Sequence, residues 1–134
     1  MQKQIIYKNE AHKDFYNKKI MEYAGMGRTP DSYVKPLFYL LAISDDTRRN
    51  FDNLYNMQSN SIKPEGLRGG WLTGSTKKIC LLAYNLFNGR TQDGRTKVSD
   101  ELTPYNLFAT DCAQYFVQAI VLRYPSYFAK KEEI

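Results

Sequence analysis

A chain of 134 residues, 43% hydrophobic and 25% charged, holds enough apolar material for one self-sufficient core and too much for wholesale disorder. The formal net charge of +5 permits attraction to nucleic acid, anionic lipid or acidic proteins and requires none of them. One histidine and two cysteines, with no CxxC or HxxxH spacing, cannot assemble a standard zinc site, so neither a metal nor a cofactor is expected.

Asn9 predicts the cap of a helix running to about Ala24 and closed by Gly25, with His12, Phe15, Tyr16, Ile20 and Tyr23 on its inner face. Its outer face mixes both signs of charge, which marks a solvated surface. Met26–Ser32 is a connector. The next helix starts near Ser32 and carries Pro36 in its opening turn, where a missing backbone donor matters least. Leu37–Ile43 is the longest uninterrupted apolar run, a buried segment far too short to span a bilayer. The first ten residues lack the apolar core of a signal peptide, so the expected location is the cytoplasm, away from membranes.

Ser44–Asp46 is cap chemistry for a helix over about Asp46–Asn56. There Phe51, Leu54 and Tyr55 point inward, and Arg48–Asp52 and Arg49–Asn53 stand at the (i, i+4) spacing of surface pairs. With the segment before it, this helix could form a helix-turn-helix. The span from Thr29 to Ile62 has more acids than bases, whereas a recognition helix sits on a basic surface. Met57–Gly74 is a long connection in which Pro64 opens a single turn through Leu67, and Trp71 and Leu72 pin the chain to the core.

Ser75 then reads as an N-cap and Gly89 as the residue past the helix end. Between them Ile79, Leu82, Ala83, Leu86 and Phe87 form a core-facing stripe, and Cys80, Leu81 and Tyr84 extend the apolar surface around the helix. After the polar stretch Arg90–Leu102, with a turn signal at Asp93 and Gly94, Thr103 and Pro104 open the last helical region. Asp111 and Gln114 have the spacing of a capping box, which predicts a break there. The final helix buries Cys112, Phe116, Ala119 and Ile120 and stops before Pro125; Cys80 and Cys112 read as buried free thiols, although their spacing also allows a disulfide between helices. The expected fold is therefore all-α, a compact bundle of five to six helices around a central helix at about 75–88. It forms one domain over residues 1–134, with a tail at 124–134.

Chemistry concentrates between Lys63 and Lys78. Gly69–Thr76 has the glycine spacing of a phosphate-binding loop, but Ser75 stands where the lysine belongs and no strand feeds the loop, so nucleotide hydrolysis is not expected. What survives is softer. Glycines leading into a helix N-terminus expose backbone N–H groups to an anion. The stretch also holds four bases (Lys63, Arg68, Lys77, Lys78) against one acid, Glu65. Arg68, Gly69, Gly70, Trp71, Thr73, Gly74, Ser75, Lys77 and Lys78 thus form a candidate surface for an anion, a nucleic acid or an acidic protein partner. The expected role is a non-enzymatic binding module with no catalytic residue. One alternative is a small enzyme using His12 with the loop carboxylates Glu65, Asp93 and Glu101. Another is a purely structural homodimer, which predicts an exposed patch of tyrosines.

Asn9–Tyr16, Thr47–Asp52, Trp71–Lys77 (Trp-Leu-Thr-Gly-Ser-Thr-Lys), Leu82–Gly89 and Arg123–Pro125 together resemble a family of small uncharacterised bacterial proteins. Its members come mostly from Gram-positive organisms and carry only a domain-of-unknown-function label. The resemblance implies a cytosolic, single-domain bacterial protein and supplies no catalytic residues.

Overall fold

Seven consecutive apolar residues can be buried on all sides only if other elements surround them, and the fold is built that way around Leu37–Ile43. The computed structural model describes residues 4–92 and 99–128. In it this run forms most of α2 (Val34–Leu41) and the turn that follows, and every residue from Leu37 to Ile43 is at most 1% exposed. Three longer helices pack on α2: α1 (Glu10–Gly25), α5 (Gly74–Asn88) and α7 (Ala113–Arg123). α5 buries Ile79, Cys80, Leu81, Leu82, Ala83, Tyr84 and Leu86, while Phe87 is only half-buried. Both cysteines are free and buried, and burial pushes both thiols up from their ordinary pKa.

Local caps set most helix starts. Asn9 Oδ1 accepts from the His12 N–H at 2.9 Å, as its position predicts. α2 is started by Asp31 rather than by Ser32: its Oδ1 accepts from the N–H groups of Tyr33 and Val34. α5 ends at Gly89 in the left-handed region (φ 82°), where a side chain would be strained.

The helix expected over 46–56 is divided. A reciprocal Ser44–Thr47 capping box starts α3 (Asp45–Arg49), Asn50 leaves helical geometry, and α4 (Phe51–Leu54) is a single turn. The chain then extends as β1 (Tyr55–Asn56), antiparallel to β2 (Ser61–Ile62), with Tyr55 opposite Ile62 and Asn56 opposite Ser61. Groups from elsewhere hold this hairpin. Arg28 donates to the Met57 carbonyl at 2.5 Å and also to that of Gln58, and Asn60 closes the turn at φ 53°. The expected (i, i+4) pairs give way to tighter ones: Arg48 to Asp45, Arg49 to Asp46, and Asn53 to Asn50. A five-residue α3 is too short to serve as a recognition helix.

Pro64 opens a 3-10 turn through Arg68, and a second such turn covers Asp100–Leu102 ahead of α6 (Pro104–Leu107). The expected Asp111–Gln114 capping box is not formed, because Asp111 Oδ1 accepts from Thr110 Oγ1 at 3.3 Å instead and α7 begins at Ala113. α7 ends at Arg123, before Pro125 as expected, but the start of the expected tail is a further single turn, α8 (Pro125–Phe128), since proline is well suited to a first helical turn. The Asp93–Gly94 turn and tail residues 129–134 lie outside the described residues. Those described form eight α-helical segments rather than five or six, four of them five residues or shorter. The fold is predominantly α-helical with a small two-stranded sheet. Among the described residues no helix is long and apolar enough to cross a membrane.

Candidate functional site

Two glycines give the 3-10 turn its close contacts. A Cβ on Gly66 would lie 2.2 Å from the main-chain oxygen of Asn53, so the turn rests directly on the backbone of α4. A Cβ on Gly69 would lie 2.5 Å from Trp71 Cδ1 and 2.8 Å from Nε1, so the indole lies directly against the main chain there. Trp71 Nε1–H donates to the Gly66 carbonyl at 3.3 Å. Gly66 is thereby the common support of α4 and the indole.

Between these supports runs an open cleft of about 430 Å³. Asn50 and Asn53 form one side, Gly69 and Trp71 another, and Lys63, Glu65 and Gly66 complete it. Its volume falls within the range of small-molecule sites. Lys63 Nζ donates to the Asp52 carbonyl at 2.7 Å, so the ammonium rests near the C-terminal end of α4, where a cation is favourable. Beneath the cleft the buried Tyr84 hydroxyl reaches from α5 to the carbonyls of Leu54 (2.8 Å) and Lys63 (3.0 Å). This pins the strand ends that present Lys63. Burial raises the Tyr84 pKa well above its ordinary value.

The nine candidate residues do not gather around one concavity. Gly69 and Trp71 line the cleft. Arg68 and Gly70 are exposed on the loop beside it in sequence. Thr73, not Ser75, caps α5: Thr73 and Thr76 exchange side-chain and backbone hydrogen bonds, and Gly74 is the first helical residue. Ser75 turns its hydroxyl to Thr110 Oγ1 at 3.2 Å. Since the Thr76 N–H is taken by Thr73, part of the expected amide cradle is filled by its own cap. Lys77 is half-buried. Lys78 is an internal tie: its ammonium pairs with Glu101 at 2.8 Å and donates to the Asn106 carbonyl at 2.5 Å, with the side chain 13% exposed.

Asn50, Asn53, Lys63, Glu65 and Gly66 complete the cleft although the candidate set omits them. The only local signal for any of them is the Lys-Pro-Glu-Gly turn at 63–66. The two asparagines carry none, because at 50 and 53 they read as helix interior.

His12 is fully buried, with Nδ1 accepting from the Lys8 N–H (3.0 Å) and Nε2 donating to the Tyr39 carbonyl (2.9 Å). Burial lowers its pKa to about 4. Of the loop carboxylates, Glu101 is bound to Lys78, Glu65 faces the cleft, and Asp93 lies outside the described residues. Neither described carboxylate is hydrogen-bonded to His12. Among the described residues no cluster of three His, Cys, Asp or Glu could hold a metal. Exposed tyrosines do gather near the end of α7, where the Arg123 guanidinium stacks on Tyr33 (3.9 Å) and Tyr124 (4.6 Å) and Tyr127 follows.

Fold and cleft define a small, predominantly helical protein with one indole set in an open groove of mixed polar and apolar lining. The chain belongs to the family of unknown function DUF6075, whose family model matches residues 2–134. Nothing among the curated proteins or the solved structures matches it.

Proposed function

We propose that this chain is a non-enzymatic binding module of the bacterial cytoplasm, and that its ligand is single-stranded nucleic acid held with one base against Trp71. The observation that carries the reading is the chain's single indole standing in an open cleft that also contains Lys63. An aromatic face beside a cation is the working unit of single-strand binding, in which each stacked base contributes about 1–3 kcal/mol. The net charge of +5 attracts a polyanion from a distance. With Lys78 committed to Glu101 and Lys63 in the cleft itself, Lys77 is left as the lysine of the 63–78 stretch that meets phosphates, with Arg68 adding to the local field. The burial of His12, with both ring nitrogens spent on the backbone, favours binding over acid–base catalysis.

The test uses Trp71 as its own probe. Titration with a mixed-sequence single strand of roughly ten nucleotides should quench or shift its emission saturably, and the affinity should fall as salt is raised. Lys63→Gln should weaken binding several-fold. An emission unchanged by any strand, together with no retention on heparin at low salt, overturns the proposal. So does a response to neutral oligosaccharides alone.

A further inference from the structure

Resting on that reading, we infer that the cleft selects the base it stacks and that the base is guanine. The argument begins with an amide whose orientation is settled by a neighbour that can only accept. Asn50 Nδ2 lies 2.9 Å from the Asp46 carbonyl, which has no hydrogen to give, so that atom of Asn50 must be the nitrogen. Asn50 therefore presents its oxygen to Asn53, and Asn53 answers with Nδ2 at 3.0 Å. One N–H of Asn53 is spent in this way; among the described residues nothing bonds its second N–H or its Oδ1, which face a ligand. This chain of bonds orients the reading group before any base arrives.

The other two polar side chains of the cleft are complementary to each other. Lys63 offers only donors, and one of its three N–H groups is used on Asp52. Glu65, as a carboxylate, offers only acceptors, two oxygens side by side. Guanine is the base that matches both. Its N1–H and N2–H form an adjacent donor pair for a carboxylate, and its O6 and N7 form an adjacent acceptor pair for Lys63 and the second N–H of Asn53. Adenine lacks the paired donors and the O6 acceptor. Cytosine offers one amino group and thymine none. A carboxylate in the cleft also repels phosphate, which puts the base inside and the backbone at the rim. The 430 Å³ of the cleft leaves room for a purine against Trp71.

The experiment compares thymine strands carrying one central guanine, adenine, cytosine or inosine, read by Trp71 emission. The guanine strand should bind roughly tenfold more tightly than the adenine or cytosine strands. Inosine, which lacks the N2 amine, should lose most of that preference. Glu65→Gln should remove it as well, with circular dichroism confirming the fold. Equal affinity for all four strands overturns the base assignment and leaves single-strand binding standing; no response to any strand overturns both. Guanosine monophosphate, added as competitor, separates the two sources of the base. Displacement of the guanine strand by equimolar mononucleotide overturns the polymeric ligand while supporting the guanine site. Failure to displace it supports guanine read within a strand.

Discussion

The imidazole of His12 and the main-chain carbonyl of Tyr39 meet at 2.9 Å inside the core, where α1 crosses α2. Because the other ring nitrogen accepts from the Lys8 N–H, the proton must sit on Nε2, which fixes a neutral tautomer. Tyr39, Tyr7 and Tyr115 surround the ring, at 4.6, 5.3 and 6.0 Å between centroids. The same cluster fastens the N-terminal segment, since the Tyr39 hydroxyl donates to the Ile6 carbonyl at 2.6 Å. The only histidine is thus a structural bracket between residues 6–8 and α2.

That bracket makes stability fall in acid. Burial holds the folded pKa of His12 at about 4, against 6.5 when exposed, so below pH 6.5 the unfolded chain binds a proton that the folded chain refuses. Stability should decline as pH drops from about 6.5 to about 4, by about 3 kcal/mol in total, and the histidine contribution should be level below that. Urea melts across this range check it, and His12→Gln should flatten this part of the profile. On the alkaline side Tyr16, Tyr39, Tyr55 and Tyr84 all have raised pKa values, so stability should fall again above about pH 10 as the unfolded phenols ionise.

Tyr84→Phe isolates the bond under the cleft. The two carbonyls it releases each keep one partner, Leu54 O the Lys63 N–H and Lys63 O the Gly66 N–H. The loss should therefore be about 1 kcal/mol rather than the full cost of an orphaned group. Binding should suffer more than stability, because Lys63 is no longer held to α5. Denaturant midpoints set beside strand affinity separate the two effects.

The start of α5 tests which hydroxyl caps it. Thr73→Ala should cost about 1 kcal/mol, whereas Ser75→Ala, losing only an exchange with Thr110, should stay within about 0.5 kcal/mol. The reverse order in thermal melts would place the cap at Ser75.

Thr73 and Ser75 also show how far a sequence carries. Both are good N-caps, and serine is the slightly better one in isolation. The choice falls to Thr73 because Thr76 reciprocates and Thr110, distant in sequence, takes the Ser75 hydroxyl. α1 and the end of α5 were legible since Asn9 and Gly89 act on their own neighbours. The hairpin at 55–62 was not, because its strands are only two residues long and its fixings, Arg28 and Tyr84, arrive from other elements. The cleft is half legible for the same reason. Trp71 and its glycines stand out in one loop, but Asn50 and Asn53 join them only through the contact of Gly66 with α4.

Gly66 and Gly69 should therefore fail differently when each is replaced by alanine. At Gly66 the added methyl meets the Asn53 main-chain oxygen at 2.2 Å and Leu54 Cδ2 at 3.2 Å. Backbone cannot swing aside, so α4 and the turn must separate, at a cost of about 1–3 kcal/mol. At Gly69 the methyl clashes with the rim of Trp71 and meets the Gly66 oxygen at an ordinary 3.7 Å, and a side chain can rotate away at the loss of the Nε1–H bond to Gly66. Gly69→Ala should lower the melting temperature less than Gly66→Ala, because only the packing of the half-buried Trp71 on the core is loosened, while red-shifting the tryptophan emission as the indole moves toward water and weakening strand binding. Gly66→Ala should lower the melting temperature by several degrees. If Gly66→Ala melts with the wild type, the turn does not rest on α4, and the two sides of the cleft are not held together by that contact.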